Sequence, residues 1–78
     1  MTLEQYNALH EPEKAEVIMQ GNFLAEREEN GLPVQLYNLG KIYGEIYYDP
    51  LANKILRYRA FDDIRQLGPY LAHIRFNR

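Results

Sequence analysis

The sequence predicts one α+β domain over residues 1–78: two short helices, a four-stranded antiparallel meander and a kinked closing helix, arranged in two layers. Three observations predict it. Apolar residues recur at three- and four-residue spacing over the first twenty positions and again in the tail. From Phe23 to Phe61 the spacing is two, and turn-prone clusters, ENGLP, YNLGK and DPLANK, divide that stretch into four strands. With 78 residues and no cysteine, one packed core must serve the whole chain without disulfides or thiolate metal sites, which makes self-association an expectation.

Thr2 with Gln5 three residues later is a capping-box pattern, and Leu3, Tyr6 and Leu9 follow at helical spacing. That helix ends before Pro12. Pro12 suits the first turn of a second helix, where Glu11, Glu13 and Glu16 lie near the positive end and Ala15, Ile18 and Met19 form an apolar stripe that Gly21 terminates. Asn30-Gly31 is the strongest hairpin signal, because a two-residue primed turn needs positive φ at both positions. Pro33 belongs at a strand margin or a bulge. In the tail, Asp62-Asp63 precede Ile64, Leu67, Leu71 and Ile74 on one helical face, and Gly68-Pro69 predicts a kink or two short helices with Pro69 opening the second.

Register decides which side chains the sheet buries. A three-residue loop Asn38-Leu39-Gly40 pairs Leu36 with Ile42 and Val34 with Gly44. A five-residue loop DPLAN pairs Tyr48 with Lys54, Ile46 with Leu56, Gly44 with Tyr58 and Glu45 with Arg57. Together they give an apolar face of Phe23, Ala25, Val34, Leu36, Ile42, Gly44, Ile46, Tyr48, Leu56, Tyr58 and Ala60 for the helices, with Tyr58 covering Gly44. The opposite face carries Leu24, Tyr37, Lys41, Tyr43, Glu45, Tyr47, Ile55, Arg57, Arg59 and Phe61. Shifting the fourth strand by one would bury Arg57 and Arg59 without acidic partners, which its cost excludes.

Tyr37, Tyr43, Glu45, Tyr47, Arg57 and Arg59 are therefore the candidate interface residues, since tyrosine and arginine are enriched at the centres of protein interfaces. The expected partner is another protein or a second copy. The competing readings are ordinary half-exposed tyrosines pairing across strands, and a face covered by the opening helix. Charge is uneven: residues 1–30 hold seven acids against Lys14 and Arg27, whereas residues 31–78 hold seven bases against four acids. This suits either a solvated acidic helix beside a basic sheet or complementarity with a partner.

Other chemistries have weaker grounds. A net charge of −2 and the lack of a ribonucleoprotein motif disfavour single-stranded nucleic acid, although aromatics among arginines resemble a stacking platform. Catalysis has no constellation to use: His10 and His73 lie near opposite ends, and no metal-binding pair, nucleophile elbow or phosphate-cradling loop occurs. Neither a cofactor nor a metal is expected. Asp62-Asp63 reads as a helix cap rather than a carboxylate pair, His73 as a helix-end residue and His10 as a loop residue. The start has no basic segment followed by an apolar run, and no stretch approaches a membrane span, so the expectation is a cytoplasmic protein. A regulatory module holding a small ligand between sheet and helix is the second functional expectation.

The segments LYNLG, IYGEIYYD, KILRYRAF and LGPYLAHI, in that order, resemble a small bacterial α+β domain family of unknown function. The resemblance implies a helical start, a tyrosine-rich meander and a closing helix, and no activity, cofactor or site residue.

Overall fold

The computed structural model describes residues 1–71 of the chain. Thr2 and Gln5 form the expected capping box, Thr2 Oγ1 accepting from Gln5 N at 3.1 Å and Gln5 Oε1 accepting from Thr2 N at 2.9 Å, and helix α1 (Leu3–Asn7) follows. Helix α2 (Glu11–Met19) has Pro12 in its first turn, where a missing N–H costs nothing. Four strands make one antiparallel sheet in sequential order, β1 (Asn22–Glu29), β2 (Leu32–Asn38), β3 (Tyr43–Asp49) and β4 (Lys54–Phe61). Asn30 and Gly31 both hold positive φ, 51° and 81°, as a primed turn requires. Asp63 caps a single turn of 3-10 helix (Ile64–Leu67) through Arg65 N, and α3 (Gly68–Leu71) begins beside Pro69. The α+β class and the element order are as the sequence predicts. The expected continuation of α3 through Ile74, and the position of His73, lie outside the described residues.

The second turn differs. Asn38 Oδ1 accepts the Gly40 N–H at 2.7 Å, Leu39 N donates to Ile42 O, and the loop spans residues 39–42 rather than 38–40. Ile42 leaves the ladder and enters the core beside Tyr6, Ile18 and Ile46, where its side chain is sealed from water. Leu36 therefore pairs with Glu45 and Val34 with Tyr47, three residues from the expected register. An odd displacement exchanges faces. Val34, Leu36 and Ala25 share a face with Tyr43, Glu45 and Tyr47, while Tyr37 and Phe23 join Gly44 and Ile46 on the other.

The third turn is one residue shorter than expected, Asp49 pairing with Lys54, and its Asp49 Oδ1 accepts from Leu51 N and Ala52 N. A bulge then inserts Leu56, so that Tyr48 faces Ile55 but Tyr47 faces Arg57, Glu45 faces Arg59 and Gly44 faces Ala60. The shorter loop and the extra residue cancel in parity. The face assignments of Tyr43 to Tyr48 and Arg57 to Phe61 are accordingly those expected, whereas Ile55 moves to the helix face and the Glu45 partner is Arg59, not Arg57.

Helices lie on both faces, where the apolar face of Ile42 and Ile46 was expected to take most of them. α1 and α2 lie on the face of Gly44, Ile46 and Tyr58, forming one core with Tyr6, Ile18 and Ile42. α3 lies on the other, where Tyr70 closes a second cluster of Ala25, Leu36 and Phe61. Ile18, rather than Tyr58, fills the space above Gly44: a Cβ there would meet Ile18 Cγ1 at 2.7 Å and Cγ2 at 2.9 Å. Tyr58 instead donates its hydroxyl to the Glu11 carbonyl at 2.8 Å and ties the start of α2 to β4.

Gly44→Ala is expected to destabilise the domain by about 1–3 kcal/mol through overpacking. Urea unfolding of a double-mutant cycle should show that Ile18→Ala costs less in the Gly44→Ala background than in the native one, because the shortened side chain makes room for the added methyl.

Candidate functional site

The six residues singled out in the sequence separate. Tyr43, Glu45, Tyr47, Arg57 and Arg59 do share one face, but Tyr37 is on the other, edge-on to Phe23 at 5.7 Å, with its hydroxyl donating to Gln35 Oε1 at 3.1 Å. Glu45 and Tyr47 are 1% and 5% exposed, so the predicted open tyrosine face is closed around its centre. Tyr43 is half-buried and stacked on Phe61 at 5.6 Å. Arg57 is exposed, its guanidinium 4.3 Å from the centroid of the Tyr47 ring. Arg59 is half-buried.

Glu45 is the hub of that face. Its Oε1 accepts from Arg59 Nε at 2.6 Å; its Oε2 accepts from the Tyr70 hydroxyl at 2.5 Å and from Arg27 Nη2 at 3.3 Å. Arg27 reaches it from β1 across Val34 and Leu36, and also donates to Glu29 at 2.9 Å and to the Tyr47 hydroxyl at 3.1 Å. Its Nε is buried with no partner among the described residues. Burial opposes the charge on Arg27, but Glu29, Tyr70 and Glu45 outweigh it and its pKa is raised. Burial, then the Glu45 carboxylate, raises that of the Tyr70 hydroxyl, against the lowering effect of Arg27. Tyr70 thus remains a proton donor beyond the ordinary tyrosine range, and it joins the closing helix to the sheet.

This arrangement is structural in its chemistry. Both oxygens of Glu45 are engaged by donors from β1, β4 and α3, and the residue is sealed from solvent. Arg27 and Tyr70 escaped the sequence reading. Arg27 stands in the acidic run from Glu26 to Glu29 and reads there as a solvated charge, yet counting back from the Asn30-Gly31 turn places it opposite Val34. That signal was available. Tyr70 carried no comparable one.

The surface left open lies on the helix face. α1 and α2 cover only part of it, and beyond Met19 a groove of about 420 Å³ runs over the sheet, walled by Met19, Tyr37, Ile46, Tyr48 and Ile55 with Gln35, Asn53 and Lys54 at its margin. Met19 is 58% exposed and Phe23, packed on Tyr37, is 56% exposed. Leu51, Ile64 and Leu71 are also exposed but none of them lines this groove; it is contiguity with a concave apolar floor that sets Met19 apart. Among the described residues no cluster of histidine and carboxylate side chains could hold a metal ion, and no helix is long and apolar enough to cross a membrane.

Tyr70→Phe is expected to lower stability at neutral pH by about 1.5–3 kcal/mol, the value of a hydrogen bond to a charged group. The native Tyr70 hydroxyl keeps its proton above the ordinary value of 10.0, whereas the unfolded chain releases it there, so its contribution is complete below pH 10 and declines as pH rises beyond it. Denaturant titrations from pH 8 to pH 11 should therefore show a shallower alkaline loss of stability in Tyr70→Phe than in the native protein. Glu45→Ala, which removes the acceptor shared by Arg27, Arg59 and the Tyr70 hydroxyl, should cost about 3 kcal/mol in the same assay at pH 7.

No protein-family model matches the chain, and neither the curated proteins nor the solved structures contain a match to it.

Proposed function

We propose that this protein is a non-enzymatic interaction module that receives an apolar segment of a protein partner in the groove beside Met19. The observation that carries this reading is the uncovered part of the helix face, where Met19 stands exposed beside a floor of Ile46, Tyr48 and Ile55, with Phe23 exposed against the adjoining Tyr37. Packing an apolar segment there would withdraw these side chains from water at about 25 cal/mol for each Å² of apolar surface. The reading keeps the partner class expected from the sequence and moves the surface, because Glu45 and Tyr47 are committed to the fold. A second reading has its own support: the groove volume falls within the range of small-molecule sites, about 300–1,000 Å³.

Site-specific photocrosslinking separates the two. A photoreactive residue replacing Met19 should give one discrete protein adduct in cells expressing the protein, and the same residue replacing Ile64, exposed on the opposite side of the sheet, should give none. Ile55→Glu should remove the adduct. An adduct of twice the chain mass would make the partner a second copy. A small molecule retained in native mass spectrometry, with no protein adduct, would assign the groove to a ligand; neither adduct nor ligand would overturn the proposal.

A further inference from the structure

The sheet has two edges, and they are defended differently. β1 carries Glu26, Glu28 and Glu29 and breaks register between Phe23 and Ala25, two devices that discourage pairing with another strand. β4 has its irregularity at Leu56, near its start; beyond it Arg57–Phe61 pair with Tyr43–Tyr47 in unbroken register, a run of ordinary strand length. Among the described residues β4 has β3 as its one strand neighbour.

The side chains along that run differ by face. Towards the Glu45 face point Arg57 and Arg59. Arg57 has no carboxylate partner among the described residues, and its stacking on Tyr47 holds the guanidinium in place at the edge. Arg59 is held by Glu45 and Gln66 with 40% of its side chain exposed. Towards the helix face, Tyr58 and Ala60 border a cleft of about 260 Å³ shared with Tyr6, Asn7, Glu11, Lys14 and Arg59. Glu11 lies 3.6 Å from Lys14 and accepts from Tyr58, and the Arg59 charge is answered by Glu45 at 2.6 Å, so this cleft is close to neutral; the buried Tyr6 hydroxyl in its wall has no partner among the described residues.

We propose that the outer edge of β4, from Arg57 to Phe61, accepts an acidic extended segment of a partner protein as a fifth strand. Backbone pairing would supply the sequence-independent part of recognition, and alternation along the added strand the specific part. Carboxylates on alternate positions meet Arg57 and Arg59; uncharged polar side chains between them turn to the cleft, where Asn7 and the Tyr6 hydroxyl offer hydrogen bonds. A second copy fits less well: its acidic β1 edge is irregular, and an edge-to-edge contact between unlike strands repeats without closing. This surface is separate from the groove, so either proposal can fail alone.

The test uses the whole chain and two fluorescent seven-residue peptides, one alternating threonine with glutamate and one alternating threonine with lysine. Saturable binding of the glutamate peptide is expected in anisotropy titrations, weakened by salt, with slowed amide exchange at Arg57–Phe61 and no binding of the lysine peptide. Arg57→Glu, which also removes the stack on Tyr47 and should lower the thermal midpoint slightly while the protein stays folded, is expected to weaken binding about tenfold or more. Met19→Glu should leave it intact. The proposal is overturned if the glutamate peptide fails to saturate, if the lysine peptide binds equally, if Arg57→Glu binds as the native protein does, or if protection falls on β1. Light scattering that grows with protein concentration and is abolished by Arg57→Glu would give the edge to a second copy and overturn it as well.

Discussion

A single buried carboxylate organises one side of this protein. Taking Glu45 out of water carries a desolvation cost of several kcal/mol, which the fold meets only by bringing Arg27, Arg59 and the Tyr70 hydroxyl to it together. Those three donors come from the first strand, the last strand and the closing helix. The cluster can therefore form only when the sheet is complete and α3 is seated, so it works as a check on assembly more than as a source of net stability. An apolar replacement of the whole cluster could be as stable; what the charges add is that any other register leaves a guanidinium or a carboxylate unpaired under the helix.

A second constraint acts on the other face of the sheet. Ile18 must approach Gly44 closely enough that no Cβ fits, which fixes α2 against β3 and leaves the far half of that face without a helix. On the reverse side, Tyr70 and Leu67 cover Ala25 and Leu36 with only a few residues of helical structure, and Arg57 and Arg59 shield part of the rest by lying on Tyr47 and Phe61. The described residues hold too little helix to cover the whole of both faces, and the groove beside Met19 is where the cover of one ends.

How far the sequence could be read follows from which signals were local. Caps at Thr2 and Asp63, the Pro12 start, the positive-φ pair Asn30-Gly31 and the interruption at Gly68-Pro69 are each decided by a few neighbouring atoms, and each stands as expected. The faces were a matter of counting through loops. At the second turn the count turned on whether Ile42 is the first residue of a strand or the last of a loop, and no local preference distinguishes these; the core beneath Tyr6 and Ile18 does. At the third turn two errors of one residue cancelled, which is why the company kept by Glu45 was largely right while its partner was not.

The candidate surface changed for the same reason. Tyrosine beside arginine on alternate positions has two stable solutions: an open face offered to a partner, or a buried row in which the guanidinium stacks on the ring and its remaining donors find a carboxylate. Composition is identical in the two, and what selects between them is whether the chain can supply a lid. Here Tyr70 supplies it, and its hydroxyl completes the coordination of Glu45. The arginine left at the margin, Arg57, keeps the stack but gains no carboxylate among the described residues, so the attraction that closes the centre of the face remains unspent at its edge. Among the described residues such satisfied interiors run out at the end of the helix cover at Met19 and along the regular outer run of β4, and these are the surfaces we propose for partners.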